Sequence, residues 1–228
     1  MTAPHITPEL FAFFRELERN NSKLWFQSNK QRYEQQVRLP LQRLIMDFQQ
    51  PLRRISPHFR ADPRPVGGSL FRIYRDVRFS PDKSPYKTHG GIQFRHEQGK
   101  DVHAPGFYLH LEPDNVFAAV GIWRPDSAAL GRIREAIAAE PGKWLRARND
   151  PGFSKAYELG GDSLKRAPQG YDPNHSRIED LKRKDFIASA ALSQRDACAP
   201  DFLDRYARLC VAAAPFMEFL TKVLDLPW

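Results

Sequence analysis

Residues 106–123, reading Gly106-Phe-Tyr-Leu-His-Leu-Glu-Pro-Asp-Asn-Val-Phe-Ala-Ala-Val-Gly-Ile-Trp123, decide the fold. Phe107, Leu109 and Leu111 alternate with Tyr108, His110 and Glu112, the period of a strand with one face buried. Pro113-Asp114-Asn115 supplies turn chemistry. Val116 to Trp123 is almost wholly apolar, as a central strand requires. Upstream, Gly90-Gly91 opens a second alternating run, Ile92-Gln93-Phe94-Arg95-His96. Further upstream, Phe71, Ile73, Val77 and Phe79 share one period-two face, with Arg72, Tyr74, Asp76 and Arg78 on the other. That spacing predicts a strand, interrupted only by Arg75 on the apolar side. The runs together predict an antiparallel meander of about four strands, an ordinary sheet size.

Helical signals flank this block. Thr7-Pro8-Glu9 has the proline and acid of a first turn, Leu10, Phe14 and Leu17 form an apolar face, and Asn20-Asn21 stops it. Trp25 and Phe26 follow in a short core segment. Tyr33, Val37, Leu41, Leu44, Phe48 and Leu52 recur at helical spacing, with Pro40 expected to kink or interrupt the helix. Residues 58–68 and the polar stretch from His96 to His103 read as loops. After the sheet, Asp126 and Ser127 cap a helix through Leu130, Ile133 and Ile137. Tyr157–Leu159 and Ser163–Lys165 around Gly160-Gly161-Asp162 predict a small hairpin, and Asp185–Leu192 one more strand. A last helix carries Phe202, Tyr206, Leu209, Ala213, Phe216 and Leu220, disturbed at Pro215. The predicted fold class is α+β: an antiparallel sheet of about four to six strands covered by N-terminal and C-terminal helices. One domain is expected, with a helical part over 1–57, a sheet core over 66–124 and a mixed helical part over 125–228.

Composition removes several classes of function. The 228 residues are 41% hydrophobic and 27% charged, with no apolar run long enough for a transmembrane helix. The first residues lack the basic and apolar regions of a signal peptide, and Cys198 and Cys210 form no C-x-x-C pair. A cytoplasmic protein with reduced thiols and no membrane partner is expected. No G-x-S-x-G, P-loop or G-x-G-x-x-G motif occurs, so serine-elbow hydrolases, P-loop nucleotidases and dinucleotide enzymes lose their usual support. The net charge of +8 favours anionic partners, and its dispersal along the chain excludes a polybasic tail. The sequence carries no signal for an oligomeric state.

The unusual chemistry lies in R72-I-Y-R-D-V-R-F-S-P-D-K-S-P-Y86. Arg72, Arg75, Arg78 and Lys83, joined by Lys87, outnumber Asp76 and Asp82. Guanidinium forks bind phosphate and carboxylate through paired, charge-assisted hydrogen bonds, so an anion pocket is expected. Asp76 and Asp82 would orient the guanidiniums or accept protons, and Tyr74 or Tyr86 would donate one. The competing reading is an architectural ion-pair network that pins a corner of the chain. His110 and Glu112 point the same way from one strand with Tyr108 beside them and join the ligand-binding candidates. They are too few for a metal set unless sheet pairing brings His96 alongside, so no metal and no cofactor are assigned.

Arg72, Arg75, Asp76, Arg78, Phe79, Asp82, Lys83 and Tyr86 fit the pattern R-x-x-R-D-x-R-F-x-x-x-[DN]-K-x-x-Y. This resembles the signature of a mainly bacterial family called domain of unknown function 2461. Supporting stretches are N-N-S-K-L-W-F at 20–26, G-F-Y-L-H-L-E-P at 106–113, G-I-W-R-P at 121–125 and L-K-R-K-D-F at 181–186. Members are similar in length to this chain, and the resemblance implies no assigned activity. Three readings of function stay open. One is a phosphorylated or nucleic-acid ligand held by Arg72, Arg75, Arg78 and Lys83. The second is an enzyme of phosphoryl-ester or acyl chemistry with Asp76 as base and Tyr86 as acid or nucleophile. The third is an interaction module whose motif is architectural.

Overall fold

Pro8 occupies the first turn of α1 (Pro8–Arg19), where its missing N–H has no intrahelical partner to lose. Five of its apolar side chains, Leu10, Phe11, Phe13, Phe14 and Leu17, are buried. Ser22 caps α2 (Lys23–Ser28) by accepting from the Trp25 N–H at 3.3 Å. A short α3 (Lys30–Tyr33) then runs through a π turn, Glu34–Arg38, into α4 (Leu39–Ile55). The interruption expected at Pro40 takes this form. Proline has no N–H to donate and its ring clashes with the carbonyl four residues back. A wider turn, in which the Leu39 N–H reaches the Glu34 carbonyl, relieves that conflict. The computed structural model describes residues 4–99 and 103–228, so the polar loop expected between His96 and His103 falls partly outside the described residues.

The sheet contains β1 (Gly90–Arg95), β2 (Gly106–Glu112), β3 (Asn115–Ile122), β4 (Glu158–Gly160) and β5 (Phe186–Leu192), in the order β1-β2-β3-β5-β4, with every pairing antiparallel. The fold is α+β with helices at both ends of the chain, as expected. The β1–β2 register sets Ile92 opposite Leu109 and Phe94 opposite Phe107. These side chains, with Leu111, Val116, Ala118, Val120, Phe186 and Ala188, form one buried face. Phe48 of α4 packs on Phe94 at 4.8 Å between ring centroids. The opposite face carries Gly91, Gln93, Tyr108, His110, Glu112 and Phe117.

Downstream, α5 (Ser127–Ala139) starts at Asp126, whose Oδ1 accepts from the Ala129 N–H at 2.8 Å. It leads through α6 (Pro141–Arg148), α7 (Pro151–Ala156), α8 (Ile178–Leu181) and α9 (Gln194–Ala197). The last predicted helix is split at the expected proline into α10 (Phe202–Ala212) and α11 (Ala214–Val223). Among the described residues no helix is long and apolar enough to cross a membrane.

Two local expectations are corrected. Residues 71–79 form no strand; single bridges, Leu70 to Ile92 and Tyr74 to Tyr86, tie this segment to the rest. The reason is local competition. Asp76 accepts from the Arg78 N–H at 3.3 Å and Asp82 from the Ser84 N–H at 2.9 Å, so these donors are taken by side chains rather than by a neighbouring strand. The hairpin expected over 157–165 also does not form. The first arm pairs with β5 itself, Leu159 with Ala188, and the second with the stretch leading into it, Ser163 with Arg183. Asp185 draws the intervening turn onto itself by accepting from the Asp162 N–H at 2.9 Å.

Candidate ligand site at the Arg72–Tyr86 segment

The segment is a closed loop. At its neck the Arg75 N–H donates to the Pro85 carbonyl at 2.9 Å and the Lys87 N–H to the Ile73 carbonyl at 2.7 Å. Asn21 clamps the same place: its Nδ2 donates to the Tyr86 carbonyl at 3.0 Å and its Oδ1 accepts from the Tyr86 N–H at 3.1 Å. The asparagine pair at 20–21 thus ends one helix and fastens the motif. The Tyr86 ring is buried, stacked on Phe26 at 4.2 Å, and burial raises its phenol.

Inside the loop most charges are matched. The Arg78 fork grips Asp76 through Nε–Oδ1 at 2.9 Å and Nη2–Oδ2 at 2.7 Å. Arg75 pairs with Asp82, which also accepts from the Ser84 hydroxyl at 2.6 Å. Lys83 Nζ donates to the Val77 carbonyl at 3.0 Å. The hydrogen bond from the Arg78 side chain pulls the Asp76 carboxyl down to about 2, and Arg75 lowers Asp82 in the same way. Phe79, expected on an apolar face, stands 94% exposed at the loop tip with the Arg78 guanidinium 5.7 Å from its ring centre.

Arg72 behaves differently. Its side chain lies on the wall of a groove of about 570 Å³ between the loop and the α2–α4 region. Lys30, Arg38 and Arg95 share this groove, against a single acid, Glu34, and the rings of Phe26, Tyr33, Phe71 and Tyr74 line it. Arg38 Nε is 2.8 Å from Glu34 Oε2, and Arg95 Nη2 donates to the Gly67 carbonyl at 3.2 Å. Lys30 and Arg72 have no ion pair or side-chain hydrogen bond among the described residues. The π turn contributes both Glu34 and Arg38, and such turns recur at functional sites. Sequence reading missed Lys30, Arg38 and Arg95 because the groove joins distant segments. A larger concavity of about 880 Å³ between α5, α6 and α11 is a poorer anion site: Arg132, Lys143 and Lys222 there pair with Asp225, Glu140 and Glu218.

His110 and Glu112 lie on the outer sheet face, outside the loop. Tyr108 Oη and His110 Nδ1 are 2.9 Å apart, and His110 Nε2 and Glu112 Oε2 are 3.2 Å apart. Gly91 makes room for this: a Cβ there would meet Tyr108 Oη at 2.8 Å. The histidine brought alongside is His89, whose ring centre is 4.4 Å from that of His110. Extending the β1–β2 register by one residue sets His89 beside Glu112, a signal invisible until the register is known. Burial, and then the neighbouring His110, depress His89 to about 4. The expected candidate, His96, sits at the other end of β1 with its Nε2 2.9 Å from the Pro227 carbonyl. His89, His110 and Glu112 offer ligand atoms within 4.8 Å of one another. Phe71 joins the two regions: it lines the groove and its ring centre is 6.0 Å from that of Tyr108.

The remaining signature stretches brace the fold. Buried Asp185 accepts from the backbone N–H groups of Arg124 at 2.7 Å and Asp162 at 2.9 Å. Buried Asp180 pairs with Arg148 at 2.6 Å and lies 3.8 Å from Arg183. Gly121, at φ +114, is required because a Cβ there would lie 2.0 Å from the Phe186 carbonyl oxygen.

These elements define an α+β protein in which an internally ion-paired loop closes one side of an aromatic groove. The chain belongs to the family described as conserved hypothetical protein (DUF2461), whose model matches residues 9–219. The family resemblance read from the sequence therefore holds across nearly the whole chain. No curated protein matches it.

Proposed function

We propose that the protein binds a phosphorylated or nucleic-acid ligand in the groove beside Arg72. The observation that carries this reading is the imbalance in the groove: among the described residues four cations face one acid, and Lys30 and Arg72 make no ion pair or side-chain hydrogen bond, Arg72 acting on Asp76 only at longer range. Guanidinium and ammonium groups left free in a concave, ring-lined site suit phosphate, and Tyr74, 53% exposed, offers a face for stacking. In this reading Arg75, Arg78 and Lys83 act indirectly, by keeping the loop closed around its own carboxylates. The second reading, an enzyme using Asp76 and Tyr86, has less support: a carboxyl held at about 2 is a weak base, and Tyr86 is buried under Phe26.

Fluorescence anisotropy with labelled single-stranded oligonucleotides, competed by free nucleotide and inorganic phosphate, tests the proposal. Arg72→Ala should weaken binding by roughly 10- to 100-fold, the loss expected for a charged hydrogen-bond donor. Arg78→Ala should weaken it far less. Equal affinity in wild type and Arg72→Ala, or no binding to any of these probes at low salt, would overturn it.

A further inference from the structure

We infer that His89, His110 and Glu112 form a binding site for a divalent transition-metal ion of the zinc type. The inference stands independently of the groove. Two imidazoles and one carboxylate are the donor set that zinc and its first-row neighbours accept, whereas calcium and magnesium prefer all-oxygen sites. Ligands of a tetrahedral zinc ion at about 2.0–2.1 Å lie roughly 3.3 Å from one another. His110 Nε2 and Glu112 Oε2 already stand 3.2 Å apart, and the whole set lies within 4.8 Å.

The surroundings are built as a metal site's are. His110 is only 8% exposed, its ring held between His89 at 4.4 Å and Phe117 at 4.6 Å. Its Nδ1 faces Tyr108 Oη at 2.9 Å, and a phenol oxygen accepts as well as donates. With the ring proton on Nδ1, Nε2 presents its lone pair to the space shared with His89 and Glu112. Asn115 Nδ2 donates to Glu112 Oε2 at 2.9 Å and fixes the carboxylate. Such outer contacts orient the ligands and set affinity. Three protein ligands leave a fourth position for water or an outside ligand, the arrangement of open rather than purely structural zinc sites. Two of the three donors lie on β2, so the strand sets their spacing before any ion arrives.

Calorimetric titration of the tag-free, full-length chain with Zn²⁺, repeated with Co²⁺ and followed by visible absorption, tests the site. One equivalent should bind, with cobalt bands in the intensity range of four- or five-coordinate nitrogen and oxygen ligation. Because buried His110 is sensitive to substitution, the decisive variants are His89→Ala and Glu112→Gln, each expected to weaken binding at least about 10-fold. Tyr108→Phe, which removes only a hydroxyl, should weaken it by a smaller factor. His5→Ala, remote from the cluster, should leave it unchanged. Absence of stoichiometric binding, or binding that survives both His89→Ala and Glu112→Gln, would overturn the inference.

Discussion

Removing the Arg72 side chain should change how ligand affinity responds to salt. Each phosphate neutralised by a protein cation on single-stranded nucleic acid contributes about −0.7 to the slope of log K against log salt. Among the described residues the groove holds two cations with no ion pair or side-chain hydrogen bond, Lys30 and Arg72, and two already engaged, Arg38 with Glu34 and Arg95 with the Gly67 carbonyl. Counting only the first pair gives a slope of about −1.4, and counting all four gives about −2.8. Between 50 and 200 mM salt, affinity should therefore fall roughly 7-fold in the first case and roughly 50-fold in the second. Arg72→Ala should flatten the slope by about 0.7 and Lys30→Ala by the same amount. Arg75→Ala, which removes a cation already paired with Asp82, should leave the slope nearly as it was. Anisotropy titrations of one labelled oligonucleotide at four salt concentrations measure all of these. An unchanged slope in Arg72→Ala, or a larger change in Arg75→Ala, would refute the assignment of free charge to Arg72.

Asn21→Ala removes both hydrogen bonds to the Tyr86 backbone and should cost about 1–3 kcal/mol in urea denaturation; a loss under a few tenths would mean the clamp contributes nothing. Asp180→Ala leaves Arg148 and Arg183 without their buried carboxylate and should cost about 3–5 kcal/mol, read from the same experiment. Asp76 carries a folded-state value of about 2 against an ordinary 3.8, so its pairing with Arg78 is complete above 3.8 and lost only as pH falls through about 2. Wild type and Asp76→Asn should therefore show ligand-binding profiles of the same shape from about pH 5 to 9, and a wild-type inflection there that Asp76→Asn abolishes would show that Asp76 titrates where a base must.

Strands β1, β2 and β3 were legible because their side chains alternate and Pro113-Asp114-Asn115 makes the turn, with Asp114 at φ +62. Residues 71–79 mimic the same period without forming a strand. Periodicity records which residues are apolar, while here the Arg78 N–H goes to Asp76 and the Arg75 N–H closes the loop on the Pro85 carbonyl rather than pairing along a strand. The cationic character of the motif was readable, but not which cation is free. That depends on loop geometry, which pairs Arg75 and Arg78 and leaves Arg72 facing the groove. His89 escaped notice for a related reason. Its partners are more than twenty residues away, and only the strand register brings them together. Pro40 predicted an interruption, yet nothing in the residue order said that it would be a π turn.

The Asn21 clamp joins residues 65 apart in the chain, so a long stretch must be closed before it can form. Closure of that kind carries an entropic cost, and contacts between distant residues set the pace of assembly. A fragment covering 66–124 would contain the whole Arg72–Tyr86 signature yet lack Phe26, Lys30, Tyr33, Glu34 and Arg38, which make the facing wall. The groove therefore depends on both segments, and a piece bearing the signature alone does not inherit it.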